Sequence, residues 1–108
     1  GLVAVHQFCR IGELAMVGGT TRVWNDAPPF MITDGNPAKC GGPNKVALQR
    51  NGYDDAARKR IKVMYKIMWR SHLNTSQALE RIEAEVENTP DRVKFVEFVK
   101  TSSRGITR

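Results

Sequence analysis

The chain has 108 residues and a mass of 12.1 kDa, with 41% hydrophobic and 26% charged side chains; that is one domain's length of folding sequence, not a disordered tail. Seventeen Lys and Arg against eleven Asp and Glu give a net charge of +6, and the excess lies in front: residues 1–73 hold eleven basic and five acidic side chains, residues 74–108 six of each. A basic front half suits anionic partners such as phosphates or acidic protein surfaces, while no apolar run reaches the ~20 residues of a membrane span and the first residues do not read as a signal peptide.

Residues 1–29 do not read as helix. Gly1, Gly12, Gly18, Gly19, Pro28 and Pro29 punctuate them, and their repeat is six. Val5, Ile11, Val17 and Val23 form one six-spaced series; Val3, Cys9, Ala15 and Thr21 form a second one of small residues. One aliphatic and one small side chain per six-residue face is the pattern of a prism-shaped parallel β-solenoid. The aliphatic fills the interior, and the small residue lets the chain turn a corner.

Residues 26–44 are rich in proline and glycine around one short apolar run, Phe30-Met31-Ile32. They read as an extended connector with turns at Asp34-Gly35-Asn36-Pro37 and Cys40-Gly41-Gly42-Pro43. Beyond them the chain becomes helical. Asn44 caps a short helix that runs through Arg50 and stops at Gly52. Asp54 caps a second over 55–71, with Ala57, Ile61, Met64, Tyr65, Met68 and His72 at helical spacing. A third starts at Asn74 or Thr75 with Leu79, Ile82 and Val86 inward. A fourth starts at Thr89-Pro90, with Val93, Phe95, Val96, Phe98 and Val99 apolar. The tail from Ser102 to Arg108 is expected to fray.

The chemistry-bearing residue types are sparse. Cys9 and Cys40 have no Cys/His ligand spacing and no activating partner, which points to incidental thiols in a reducing, cytoplasmic setting. Gly18-Gly19 lacks the strand and lysine of a phosphate loop. Lys62, Lys66 and Arg70 fall on one helical stripe, but the next helix carries Glu80, Glu83, Glu85 and Glu87, so the stripe is expected to be compensated internally rather than to bind nucleic acid.

The strings VHQFCRIGELAMVGG, DAPPFMITDGNPAK and GPNKVALQRNGYDDAARKRIK closely resemble the UDP-N-acetylglucosamine acyltransferases, in register from about Gly1 through Ile106. The motifs are His6-Gln7-Phe8 before a hexad, Pro28-Pro29 before Phe30, Gly35-Asn36-x-Ala38, and Asn44 at a helix start followed by a basic residue and glycine. The resemblance implies the end of a left-handed parallel β-helix, about one coil over residues 1–29. A connector over 30–44 and a helical domain over 45–108 follow it. It further implies a homotrimer without metal or organic cofactor, transferring an acyl chain from acyl carrier protein to a UDP-sugar in lipid A synthesis.

The resemblance covers only the family's C-terminal part. The family's general-base histidine lies upstream of the position matching Gly1, and neither His6 nor His72 matches it. The chain by itself is therefore expected to be catalytically incomplete, with no catalytic residue assigned. His6, Gln7, Asn44 and Arg50 match residues of the substrate cleft: a guanidinium suits a pyrophosphate, and a side-chain amide suits uracil or sugar hydroxyls. Asn51 stands where the family often has a second basic residue, and Val46 where an acidic one is common. The basic helical surface is expected to receive the acidic carrier protein.

Trp24, Val63, Met64, Ile67 and Met68 are bulkier or more apolar than the family's usual residues, or widen the apolar arc of the second helix. An exposed patch of this kind reads as an interface. The alternative function is accordingly a truncated, engineered trimeric building block whose altered surface drives a larger self-assembly.

Overall fold

The structure is a computed structural model that describes residues 4, 5, 7–19 and 21–108. Two strands in the first part of the chain, Ala4–Val5 (β1) and Met16–Val17 (β2), each lie parallel to a later pass. β1 pairs with Arg22–Val23 (β3), Ala4 on Arg22 and Val5 on Val23, a return after eighteen positions. β2 pairs with Met31–Asp34 (β4), Met16 on Ile32, and Ile11 bridges Ala27, each after sixteen. One pass of chain thus stacks on the next, after three six-residue units at β1–β3 but after two residues fewer at β2–β4 and at Ile11–Ala27.

Val23, in the lower layer, is fully buried, whereas Val5 and Ile11 above it are 40% and 49% exposed. The corners are tight. Phe8, Leu14 and Phe30 adopt positive φ of 72°, 55° and 68° without being glycine. A Cβ on Gly12 would stand 2.4 Å from the Pro29 nitrogen, and only glycine lets these layers meet.

The connector is more ordered than its composition suggests. β4 and Lys39–Pro43 (β5) form an antiparallel hairpin around the Asp34–Pro37 turn, with a register shift between Ile32 and Thr33. The turn expected at Cys40–Pro43 is instead strand β5. Because β4 also pairs with β2, the hairpin extends the parallel layers. Phe30 and Met31 are fully buried in the same core as the helices, each gaining about 2–3 kcal/mol from burial.

The helices follow the sequence signals closely: Lys45–Arg50 (α1), Asp55–Arg70 (α2), Thr75–Glu85 (α3) and Pro90–Lys100 (α4). Asp54 accepts from the Ala57 N–H at 2.8 Å, and Asn74 and Gln77 form a reciprocal capping box. Ile61, Met64, Met68, Ile82 and Phe95 are completely buried. Val93 is 53% exposed, because α4 turns Phe95, Val96 and Val99 to the core.

The tail does not fray. Asp26 bridges Ile106 in parallel, the Thr107 N–H donates to the Asp26 carbonyl at 2.8 Å, and the Trp69 indole donates to the Thr107 carbonyl at 3.2 Å. Arg108 closes the run by donating to the Leu73 carbonyl at 3.0 Å. Backbone pairing and a buried Ile106 outweigh the tail's polar composition, which was the only signal available in sequence.

Candidate substrate groove

α1 starts where β5 ends, and Asn44 makes the junction. Its side-chain oxygen accepts from the Ala47 N–H at 3.4 Å, while its amide nitrogen donates to the Leu14 carbonyl at 3.1 Å. The residue is 9% exposed. One and a half turns later, Arg50 projects from the last turn of α1, and the chain leaves through Gly52 at φ 78°.

Between α1 and the strands lies a groove of about 680 Å³, lined by Met16, Ile32, Pro43, Asn44, Lys45, Val46, Ala47, Arg50 and Asn51. Five of these nine are apolar, Asn44 and Asn51 are polar, and the charged groups are two cations, Lys45 and Arg50; no carboxylate lines it. Neither cation forms an ion pair among the described residues. Such a groove can hold a ligand with an anionic group at one end and a flat or apolar body against Met16, Ile32 and Val46.

Of the substrate residues expected from sequence, Asn44 and Arg50 come together here. Gln7 is exposed at the corner before Phe8 and does not line the groove, and His6 lies outside the described residues. Lys45, Met16 and Ile32 were missed by sequence reasoning. Lys45 carried a signal, its place directly after the helix cap; Met16 and Ile32 meet only through the parallel pairing of β2 with β4.

The apolar patch proposed from sequence does not form. Met64 and Met68 are completely buried and Ile67 is 4% exposed, because these three fill the contact of α2 with the rest of the core. Val63, 44% exposed, and Trp24, 51% exposed, remain at the surface on different elements. Trp24 lies under the Arg22 guanidinium, 5.5 Å from the ring centroid.

The basic stripe of α2 also differs from expectation. Glu83 pairs with Lys100 at 3.0 Å, Glu85 with Arg81, and Glu87 with Arg60. Glu83, Glu85 and Glu87 are thus engaged with other cations, and Lys59, Lys62, Lys66 and Arg70 have no ion-pair partner among the described residues. Lys59 and Lys62 border a cavity of about 360 Å³ with Lys45, Leu48 and Tyr65, and Lys66 and Arg70 border another of about 400 Å³ with Arg81.

Both cysteines are free and half-buried. Burial pushes the Cys40 thiol up to about 11, partly offset by a backbone hydrogen bond from Gly42. No helix among the described residues is long and apolar enough to cross a membrane.

Residues 26–107 match the family model described as UDP N-acetylglucosamine O-acyltransferase, domain 2. An acyl-(acyl-carrier-protein)-UDP-N-acetylglucosamine O-acyltransferase of Anaeromyxobacter sp. is 46% identical over the whole chain, and that of Myxococcus xanthus 36% identical. The chain spans 42% of the length of each. Among solved structures, the UDP-N-acetylglucosamine acyltransferase of Bacteroides fragilis superposes with a TM-score of 0.96 at 40% identity. The match covers 98% of this chain and 42% of that one. The Francisella novicida enzyme superposes at 0.92 and 33% identity, over 98% and 39%.

Proposed function

The chain belongs to the UDP-N-acetylglucosamine O-acyltransferase family, and we propose that it supplies the C-terminal substrate-binding part of such an enzyme. In this reading the stacked parallel passes are the end of a left-handed β-helix, and the helices form the C-terminal domain of a cytoplasmic homotrimer. The reaction joins a sugar hydroxyl of UDP-N-acetylglucosamine to an acyl group delivered as a carrier-protein thioester, leaving the carrier thiol. No residue of this chain is assigned as general base, so the chain alone binds without turnover.

The observation that carries the reading is a groove whose charged groups are two cations without an ion pair among the described residues, Lys45 and Arg50, beside the apolar Met16, Ile32 and Val46. A diphosphate placed against Arg50 receives a forked set of N–H donors, and the apolar wall accepts the flat face of a base. By the family resemblance, His6 and Gln7 also contact the substrate, Gln7 from outside this groove. The α2 face of Lys59, Lys62, Lys66 and Arg70 receives the acidic carrier protein by charge complementarity.

Titration calorimetry with UDP-N-acetylglucosamine tests the groove. Heat with a micromolar-to-millimolar Kd, weakened at least tenfold by Arg50→Ala, is the expected result. A signal absent at millimolar ligand, or unaffected by the substitution, rejects the groove as the nucleotide-sugar site. Light scattering tests the assembly: the trimer requires a mass three times the 12.1 kDa of the chain.

A further inference from the structure

Asn44 is the groove residue whose sequence-based role, reading the substrate through its side-chain amide, fits its surroundings least. Every polar group it owns is engaged within the chain. Its backbone N–H donates to the Phe30 carbonyl at 2.7 Å, and its carbonyl accepts from the Leu48 N–H at 3.1 Å. Its side-chain oxygen accepts from the Ala47 N–H and its side-chain nitrogen donates to the Leu14 carbonyl. These partners also settle the orientation of the amide, since a carbonyl faces the nitrogen and an N–H faces the oxygen.

Leu14 and Phe30 are not arbitrary partners. Each stands two residues before a member of the Met16–Ile32 pair, and that pairing stacks one corner on the other. Both are non-glycine residues at positive φ, 55° and 68°, a conformation that persists only where the surroundings enforce it. Asn44 donates to the carbonyl of each. The same residue then starts α1, whose six residues end at Arg50.

We propose that Asn44 is a positioning residue: it brackets the two stacked left-handed corners and ties them to the first turn of α1, so that Arg50 is held over the groove. The inference rests on the groove as the substrate site, but its structural half does not. Asparagine is required because one short side chain must donate to a carbonyl and accept from an amide at once. Aspartate retains the cap but has no donor for Leu14, and its charge repels that carbonyl. Serine caps α1 without reaching the corner.

Isotope-labelled chain decides this by NMR. In the unliganded wild type, the Asn44 side-chain NH2 should exchange with deuterium at least tenfold more slowly than that of exposed Asn88. In Asn44→Asp, and equally in Asn44→Ser should the first variant fold poorly, the backbone amides of Leu48 through Arg50 should exchange about tenfold faster. On addition of UDP-N-acetylglucosamine, the Arg50 Nε–H resonance should move while the Asn44 NH2 resonances stay, and either variant should lose about fivefold or more in affinity. Asn44 NH2 signals that move together with Arg50, with α1 exchange unchanged in both variants, would overturn the proposal and make Asn44 a direct ligand contact. Rapid NH2 exchange in the wild type would overturn it without any ligand. Should the nucleotide sugar move neither residue, the substrate reading of the groove falls, and the exchange rates still decide whether Asn44 is the bracket.

Discussion

Ser102 donates its hydroxyl to the Asp26 carboxylate at 2.5 Å, across 76 residues of sequence. The other carboxylate oxygen of Asp26 accepts the Arg10 N–H at 2.7 Å, and the Arg10 side chain approaches the same group at 3.5 Å. Asp26 is 1% exposed. One buried carboxylate thus joins the upper layer, the lower layer and the C-terminal tail, and Arg10 extends the junction by packing its guanidinium 4.3 Å above the Phe98 ring.

Asp26→Ala should destabilise the chain by about 2–3 kcal/mol, since it leaves the Arg10 N–H without its acceptor and removes the tail's anchor. Ser102→Ala, which removes one bond only, should cost about 1 kcal/mol. Urea denaturation of both variants provides the comparison. An Asp26→Ala midpoint equal to wild type would show that the junction contributes nothing.

Met64→Ala should cost about 2–4 kcal/mol by opening a cavity among Ile61, Met68 and Phe95. Val63→Glu should change stability by less than about 0.5 kcal/mol, because residue 63 is exposed and a glutamate there lies at i, i+4 and i, i+3 from Lys59 and Lys66. Light scattering on Val63→Glu checks the surface separately. A drop in assembly mass would restore Val63 as an interface residue.

The Cys40 thiol ionises near 11 in the folded chain and near 9 as an ordinary thiol. Burial disfavours the thiolate, so the stability tied to the neutral thiol is complete below pH ~9 and is lost as pH rises through ~11. Cys40→Ala should flatten this part of the alkaline unfolding curve. At pH 8 the native Cys40 should react with iodoacetamide about a hundredfold more slowly than in denaturant. Equal rates in both states would contradict the burial effect.

Lys62→Glu combined with Lys66→Glu and Arg70→Glu should abolish binding of acyl carrier protein while leaving the helical circular dichroism unchanged. The three side chains have no ion-pair partner among the described residues, so their reversal breaks no intramolecular bridge. Binding to the wild-type face should weaken steeply between 50 and 300 mM salt, roughly as screening shortens the reach of charge below 10 Å. Carrier affinity indifferent to both changes would place the docking surface elsewhere.

The local grammar of this chain is largely visible in its sequence. Asn44, Asp54 and Asn74 cap helices, Gly52 ends one, and Pro90 starts another, because each signal acts within four or five residues. The six-residue repeat of Val5, Ile11, Val17 and Val23 is likewise legible, since it follows from the length of one face. The match of Asn44 through Gly52 to a known family points to two of the residues that line the groove, Asn44 and Arg50.

What the sequence by itself determined was therefore the four helices and their caps, the family, and Arg50 as a candidate cation of the groove. Only the tertiary structure decided which side of α2 is inside, burying Met64, Ile67 and Met68 and leaving Val63 out. It also decided that the tail docks on Asp26, that Glu83 and Glu87 turn to Lys100 and Arg60, and that Asn44 meets Leu14. The physical reason is common to all four. Caps and periodicities are set by neighbours along the chain, whereas burial and hydrogen-bond satisfaction are set by partners tens of residues away, which only packing brings together.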